Sequence, residues 1–170
     1  MRDLSGQTAF ITGASHGLGL AIGHELARAG ASVACVARPG SELDAAVEEL
    51  SKLGAAIAAP ADVTRGAELE RAARTALERF GRIDIAVINA GTWNGALLQE
   101  TTEEMWDALL NLNLKGAFLT LKAVLPAMIR ARHGTIVGIA SLIGWLCAAP
   151  DHVSVGNVTI WPLAAGVTGG

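Results

Sequence analysis

The sequence contains no tyrosine, and only 4% of its residues are aromatic. Its two cysteines, Cys35 and Cys147, lie far apart without the spacing of metal ligands, which predicts buried thiols of a reducing compartment. Lysine and arginine are missing from the 38 residues after Arg132. The net charge of −3 shows no basic excess, so nucleic acid is not the expected partner.

Long hydrophobic runs are also missing. Residues 134–150 carry no charge, but they are few for a membrane span and are interrupted by Gly138, Ser141 and Gly144. The opening MRDLSGQTAF has neither a basic region nor a long apolar run, so we expect no signal peptide. With 51% hydrophobic and 17% charged residues, the chain is expected to be globular, cytoplasmic and without a membrane partner.

Short apolar runs alternate with segments of helical period. Strands are predicted over residues 7–12, 32–37, 55–59, 83–88 and 135–140. The four-residue spacing of Leu18, Ile22 and Leu26 predicts an apolar face on the first helix. The last helical stretch runs from about 104 to 131, with a break near residues 111–113 and a bend at Pro126. This alternation predicts the α/β class, with a doubly wound parallel sheet covered by helices on both faces.

Three glycines stand where the first strand turns into a helix, in TGASHGLG at residues 12–19. Gly13 permits the tight turn, Gly17 lets the backbone approach a pyrophosphate, and Gly19 allows close packing of helix and strand. The helix start supplies free N–H groups for the phosphates. The turn therefore predicts a dinucleotide site, the alternative being a purely structural turn.

The corner after the second strand reads Ala37-Arg38-Pro39 and has no carboxylate for ribose hydroxyls. Arg38 could pair with a 2′-phosphate, which favours NADP over NAD; the alternative is a solvated loop charge. Ser15 and His16 could face the same phosphate, although a histidine here could also simply face solvent.

Five motifs in this order resemble the short-chain dehydrogenase/reductase family. They are TGASHGLG at 12–19, Asp62-Val63, Asn89-Ala90-Gly91, Trp106 with NLKG at 113–116, and IVGIASLIG at 136–144. The resemblance implies a Rossmann-like sheet of order 3-2-1-4-5 and an NAD(P)-dependent oxidoreductase acting on a small carbonyl or alcohol substrate. The cofactor would lie across the strand ends between strands one and four.

The resemblance also implies residue roles. The implied cofactor-binding residues are Thr12, Gly13, Ser15, His16, Gly17, Leu18, Gly19, Arg38, Asp62, Val63, Asn89, Ala90 and Gly91. Among these, Asp62 and Val63 would border the adenine. Asn113 matches the catalytic asparagine that bends its helix and holds a water, or it only satisfies a helix break. Ser141 matches the serine that binds the substrate carbonyl, or it is a helix cap.

The family takes its proton donor from a Tyr-x-x-x-Lys pair, whose lysine lowers the tyrosine pKa and holds the nicotinamide ribose. At the commonest family distance from Ser141 this chain has Ser154 and Val158, which cannot do that work. Three interpretations stay open: an oxidoreductase by descent, an inactive dinucleotide-binding or interaction protein, and an altered or truncated product.

Residues 1–144 are expected to form the dinucleotide-binding domain. Residues 145–170 are expected to be an atypical tail that differs from the family, with one strand at 153–161 as an option and the C-terminal strands incomplete. Family members usually pair through the long helix after the fourth strand, so the resemblance also implies a homo-oligomer.

Overall fold

A computed structural model describes residues 3–93 and 98–139 of the chain. Its strands are β1 (Thr8–Thr12), β2 (Ser32–Val36), β3 (Ala56–Ala58), β4 (Ile85–Ile88) and β5 (Thr135–Gly138). Its helices are α1 (Gly17–Arg28), α2 (Ser41–Ser51), α3 (Gly66–Phe80), α4 (Glu103–Leu110) and α5 (Gly116–Ala131). A short 3₁₀ turn covers Leu98–Glu100, and a π-helical turn covers Asn111–Lys115.

The five strands form one parallel sheet of order β3-β2-β1-β4-β5. This confirms both the predicted fold class and the predicted strand order. The central strands β1 and β4 are buried at every position, because helices cover both faces of the sheet. The order reverses between β1 and β4, and the carboxyl ends of these strands open onto the same edge.

Two apolar clusters hold the layers together. On one face Phe10 and Val36 pack with Leu69 of α3 and Val124 of α5. On the other face Ile11 and Val33 pack in a cluster that includes Leu43 and Leu50 of α2. These side chains alternate along each strand, so the period of two fixes which helix pair each one meets. Cys35 lies fully buried in the second cluster, as the sequence predicted.

The first helix departs from its predicted apolar face. Ile22 and Leu26 are partly buried against the second cluster, but Leu18 is 56% exposed. Leu18 lies in the first turn of α1. The spacing therefore identified the helix correctly, but only Ile22 and Leu26 of its apolar face pack against the core.

The predicted break near residues 111–113 is a π-helical turn, so α4 and α5 follow one another without interruption. The N–H of Gly116 bonds to the carbonyl of Asn111, five residues back. Thr102 caps α4 by accepting a hydrogen bond from the N–H of Met105 at 3.3 Å. Pro126 lies inside α5, which continues to Ala131.

The combined stretch Glu103–Ala131 has 29 residues and is long and apolar enough to cross a membrane by length and composition only. Of its most apolar window, 22% is buried. Helices that cover the core of a soluble protein pass the same test, and α5 packs Val124 and Met128 into the first cluster.

Candidate functional site

A cleft of about 1000 Å³ opens at the carboxyl ends of the strands, where the order of the sheet reverses. Its walls come from the β1–α1 turn, the β2–α2 corner, the segment after β3 and the segment after β4. Residues of the predicted set that line it are Gly13, Ser15, His16, Leu18, Arg38, Asp62, Val63, Asn89, Ala90 and Gly91.

The glycine turn needs its glycines for separate reasons. Gly13 and Gly17 have φ angles of +67° and +58°, in the left-handed region that glycine adopts without strain. Among the described residues, no atom outside the sequence neighbours and helix backbone of Gly17 lies within 4 Å of where its Cβ would stand, so the backbone there is open to a ligand. A Cβ on Gly19 would lie 2.1 Å from the carbonyl oxygen of Gly13, so helix and turn pack too closely for any other residue.

Thr12 and Asn89 join the ends of β1 and β4. The buried Thr12 hydroxyl accepts hydrogen bonds from the N–H of Asn89 (3.0 Å) and of Ala90 (3.2 Å). The Asn89 side chain donates in return to the carbonyls of Thr12 (3.1 Å) and Gly13 (3.2 Å). Thr12 therefore supports the floor of the cleft, and its hydroxyl forms hydrogen bonds within the protein rather than with a ligand.

The β2–α2 corner presents Arg38, which is exposed on the wall of the cleft. His16 is exposed across the cleft at the start of α1, where its side chain makes no capping hydrogen bond. Glu42, in the first turn of α2, lines the same wall and was not predicted. The sequence motif marks only the end of β2, whereas residues in the first turn of α2 also line the cleft.

Asp62 lies after β3, and its Oδ1 accepts hydrogen bonds from the hydroxyl (2.7 Å) and the N–H (2.9 Å) of Thr64. These bonds, helped by the positive charges of Arg65 and Arg38, lower the pKa of the Asp62 carboxyl. Asp62 is therefore ionised throughout the neutral range, and Arg38 is near enough to contribute to its pKa.

Asn113 lies in the π-helical turn and holds the segment after β4. Its Oδ1 accepts the N–H of Thr92 at 2.9 Å, and its Nδ2 donates to the Thr92 carbonyl at 2.9 Å. A Cβ on Gly91 would lie 3.0 Å from Asn113 Oδ1, so the two segments pack closely. Thr92 was not predicted, because nothing local in the sequence marks a contact across 21 positions.

Two predictions lie outside the described residues. One concerns Ser141 as the serine that binds the carbonyl. The other concerns the tail at 145–170, including its possible strand at 153–161.

A family model described as short chain dehydrogenase matches residues 7–150. The chain belongs to this family. It is 38% identical over 148 residues to a 3-oxoacyl-[acyl-carrier-protein] reductase of Synechocystis, and the match covers 86% of this chain and 60% of that protein.

Two solved structures are similar. One is a metagenomic short-chain oxidoreductase in complex with NADP, 40% identical with a TM-score of 0.75, covering 82% of this chain and 64% of the other. The second is a short-chain type dehydrogenase/reductase from Mycobacterium marinum, 35% identical with a TM-score of 0.79, covering 84% and 58%. The chain thus spans about three fifths of the length of the relatives it matches.

The cleft of this family member fits a nicotinamide dinucleotide. The open space at Gly17, next to the N–H groups that begin α1, suits an anion such as a pyrophosphate. Arg38 supplies a cation and Asp62 an acceptor on the walls further along. A glycine turn at a helix start, with an arginine at the end of the second strand, is an arrangement that dinucleotide sites of doubly wound folds use.

Proposed function

We propose that the cleft binds NADP(H), and that this chain binds the dinucleotide without reducing a carbonyl substrate. The observation that carries the proposal is the position of Arg38 on the same cleft as the glycine turn. Its guanidinium is a match for a 2′-phosphate, which NAD lacks. The NADP complex of a relative with 40% identity supports the same choice.

The proposed roles follow the walls of the cleft. The turn from Gly13 to Gly19 would hold the pyrophosphate, with Ser15, His16 and Leu18 beside it. Asp62 and Val63 would border the adenine, and residues 89–91 would line the nicotinamide half. When bound, the nicotinamide supplies a hydride donor or acceptor; Thr12, Asn89 and Asn113 keep the floor of the cleft in place.

Titration of the protein with NADPH and with NADH, followed by nucleotide fluorescence, tests this cofactor choice. A charge-assisted contact to the 2′-phosphate contributes about 1.5–3 kcal/mol, so NADPH should bind at least about tenfold more tightly than NADH. Arg38→Gln should abolish that preference, and Arg71→Gln, an exposed arginine on α3, should keep it. Glu42→Gln should raise the affinity for NADPH, because it removes a negative charge from the same wall. Equal affinities in the wild type would contradict the proposal.

The second half of the proposal rests on composition. The family's proton donor is a tyrosine, and this sequence has none. A serine hydroxyl without a neighbouring cation is too weak an acid to replace it near neutral pH. We therefore expect NADPH to bind but not to be oxidised in the presence of a panel of ketones and 3-oxoacyl thioesters.

Carbonyl reduction is the second candidate, favoured by the placement of Asn113 beside the cleft segment and by the name of the Synechocystis relative. The same ketone panel decides between the two. NADPH oxidation by the wild type that is lost in Ser141→Ala would establish the reductase and overturn binding without turnover. Turnover that survives Ser141→Ala would argue against the family mechanism.

We also propose that two copies of the chain pair through one face of α4, the π-helical turn and α5. Large apolar side chains there are exposed: Trp106 (45%), Leu110 (39%), Leu114 (65%) and Phe118 (60%) follow at four-residue spacing. A continuous apolar stripe of this kind is typical of an interface. Light scattering should show a dimer or larger assembly that Phe118→Glu dissociates. Leu53→Glu, an exposed leucine after α2, is the control; a wild-type monomer would contradict the pairing.

A further inference from the structure

Two sets of hydrogen bonds hold Asp62: one set involves its side chain and the other its backbone N–H. Both hydrogen bonds from Thr64 go to Oδ1. Within the described part of the chain no donor bonds to Oδ2, and Asp62 lines the cleft. The arrangement fixes the orientation of the carboxylate and leaves one of its oxygens for a ligand.

The second contact of Asp62 is made by its backbone. The N–H of Asp62 donates to Oε2 of Glu68 at 2.8 Å. Glu68 belongs to the first turn of α3, with a side chain only 23% exposed, and its Oε1 lies 3.4 Å from the guanidinium of Arg65. This carboxylate thus reaches back over the start of its own helix and binds the segment that carries Asp62.

The hydrogen bond of Glu68 does more than cap the helix to which Glu68 belongs. A glutamate in the first helical turn ordinarily bonds the N–H of the capping residue, which is Arg65 in α3. Here the bond extends three residues further, to the segment that forms the cleft wall. Its direct effect is on where Asp62 stands relative to a bound ligand.

We propose that Glu68 is a positioning residue for base recognition: it holds Asp62 so that the free carboxylate oxygen accepts a hydrogen bond from the amino group of an adenine. The inference rests on the proposed binding of NADP(H). It adds that Glu68, through the backbone of Asp62, sets this orientation towards the 6-amino group. Hypoxanthine has a 6-oxo acceptor at that position, which a carboxylate repels.

The test compares NADPH with its deaminated analogue, reduced nicotinamide hypoxanthine dinucleotide phosphate. A hydrogen bond to a charged acceptor is lost with hypoxanthine, so the wild type should bind NADPH about tenfold more tightly. Glu68→Leu, which removes the acceptor for the Asp62 N–H, should reduce this ratio to about threefold or less. Glu68→Gln keeps an oxygen at that position and should restore the ratio. Glu78→Gln, an exposed glutamate on the same helix, is the matched control.

A merely structural role would lower the affinity for both nucleotides equally and leave their ratio unchanged. Hydrogen exchange at the Asp62 amide gives a second readout, because Glu68→Leu should speed it in the ligand-free protein while Glu68→Gln should not. If Glu68→Leu fails to fold, Glu68→Ala removes the same acceptor and should also reduce the ratio.

Three results would overturn the inference. An unchanged ratio in folded Glu68→Leu, or in Glu68→Ala where Glu68→Leu does not fold, removes the positioning role and leaves the proposed function intact. A wild-type ratio of one removes base selection by Asp62. A wild type that binds neither nucleotide removes the proposed function and this inference together.

Discussion

The Asp62 carboxyl shows how a few hydrogen bonds set the charge of the candidate site. Its pKa lies below the ordinary value of 3.8, chiefly because the Thr64 hydroxyl and N–H both donate to it. The folded pKa is therefore below the unfolded pKa. The ionised group stabilises the fold above the unfolded value, and this contribution is lost as the pH falls through the folded pKa.

Thr64→Val should raise the pKa of Asp62 towards 3.8, because it removes the hydroxyl donor and keeps the shape of the side chain. Carboxyl titration by NMR would show the midpoint of Asp62 move to higher pH. Thr75→Val, an exposed threonine on α3, should leave it in place. An Asp62 midpoint that is the same in wild type and Thr64→Val would contradict the assignment of the cause.

The pKa of the Cys35 thiol is shifted in the opposite direction, so that the neutral form is favoured. Burial without a charged partner raises the pKa of its thiol to about 12, so it stays protonated at neutral pH. The sequence predicted this burial, because Cys35 stands in the continuous apolar run of β2. A residue in a buried strand is thus predictable from its neighbours in the chain.

The glycines of the β1–α1 turn are each required for a different structural reason. Gly13 and Gly17 are required by backbone angle, while Gly19 is required by contact with the Gly13 carbonyl. The sequence motif predicted the tight turn at Gly13 and the close packing at Gly19, because strand, turn and helix are adjacent in the chain. The role of Gly17 beside a pyrophosphate stays a prediction.

Gly19→Ala should move the start of α1 away from the turn, since a Cβ 2.1 Å from a carbonyl oxygen forces the backbone to shift. Overpacking of this kind costs about 1–3 kcal/mol, and NADPH affinity should fall with it. Urea unfolding and nucleotide titration measure the two effects. Gly54→Ala is the control, because a Cβ there meets only ordinary contacts at 3.8 Å. Wild-type stability in Gly19→Ala would refute the close packing.

Some features of other elements could not be predicted from the sequence. The irregularity near residues 111–113 was predicted in position, but its π-helical form was not. The contacts between Asn113 and Thr92, and between Glu68 and Asp62, join separate segments whose approach is set by packing. Leu18 was predicted to share an apolar helix face with Ile22 and Leu26, but helical spacing does not show how much of such a face the rest of the fold covers, and Leu18 is 56% exposed.

At the scale of the whole molecule, the candidate cleft lies at the carboxyl ends of the strands and a polar cluster lies at the opposite edge of the sheet. Asp84 is 1% exposed and accepts the N–H of Thr8 at 2.8 Å. Arg82 donates to it through Nε (2.7 Å) and Nη2 (2.6 Å), while His133 Nε2 lies 3.8 Å away. The backbone N–H of Thr135 bonds to the Asp84 carbonyl, so this residue ties the starts of β1, β4 and β5 together.

Arg82→Met should destabilise the entire sheet, because it leaves a buried carboxylate with the Thr8 N–H as its remaining close donor. An unsatisfied buried polar group costs about 1–3 kcal/mol and a charged one costs more, but the half exposure of Arg82 weakens this ion pair, so we expect a loss of about 1–3 kcal/mol. Urea unfolding measures it, with Arg71→Met as the matched surface control. Since the cluster lies at the edge opposite the cleft, NADPH affinity at low denaturant should stay that of the wild type. A variant that loses nucleotide binding while keeping its unfolding midpoint would show that the two edges are coupled, contrary to this division of the sheet.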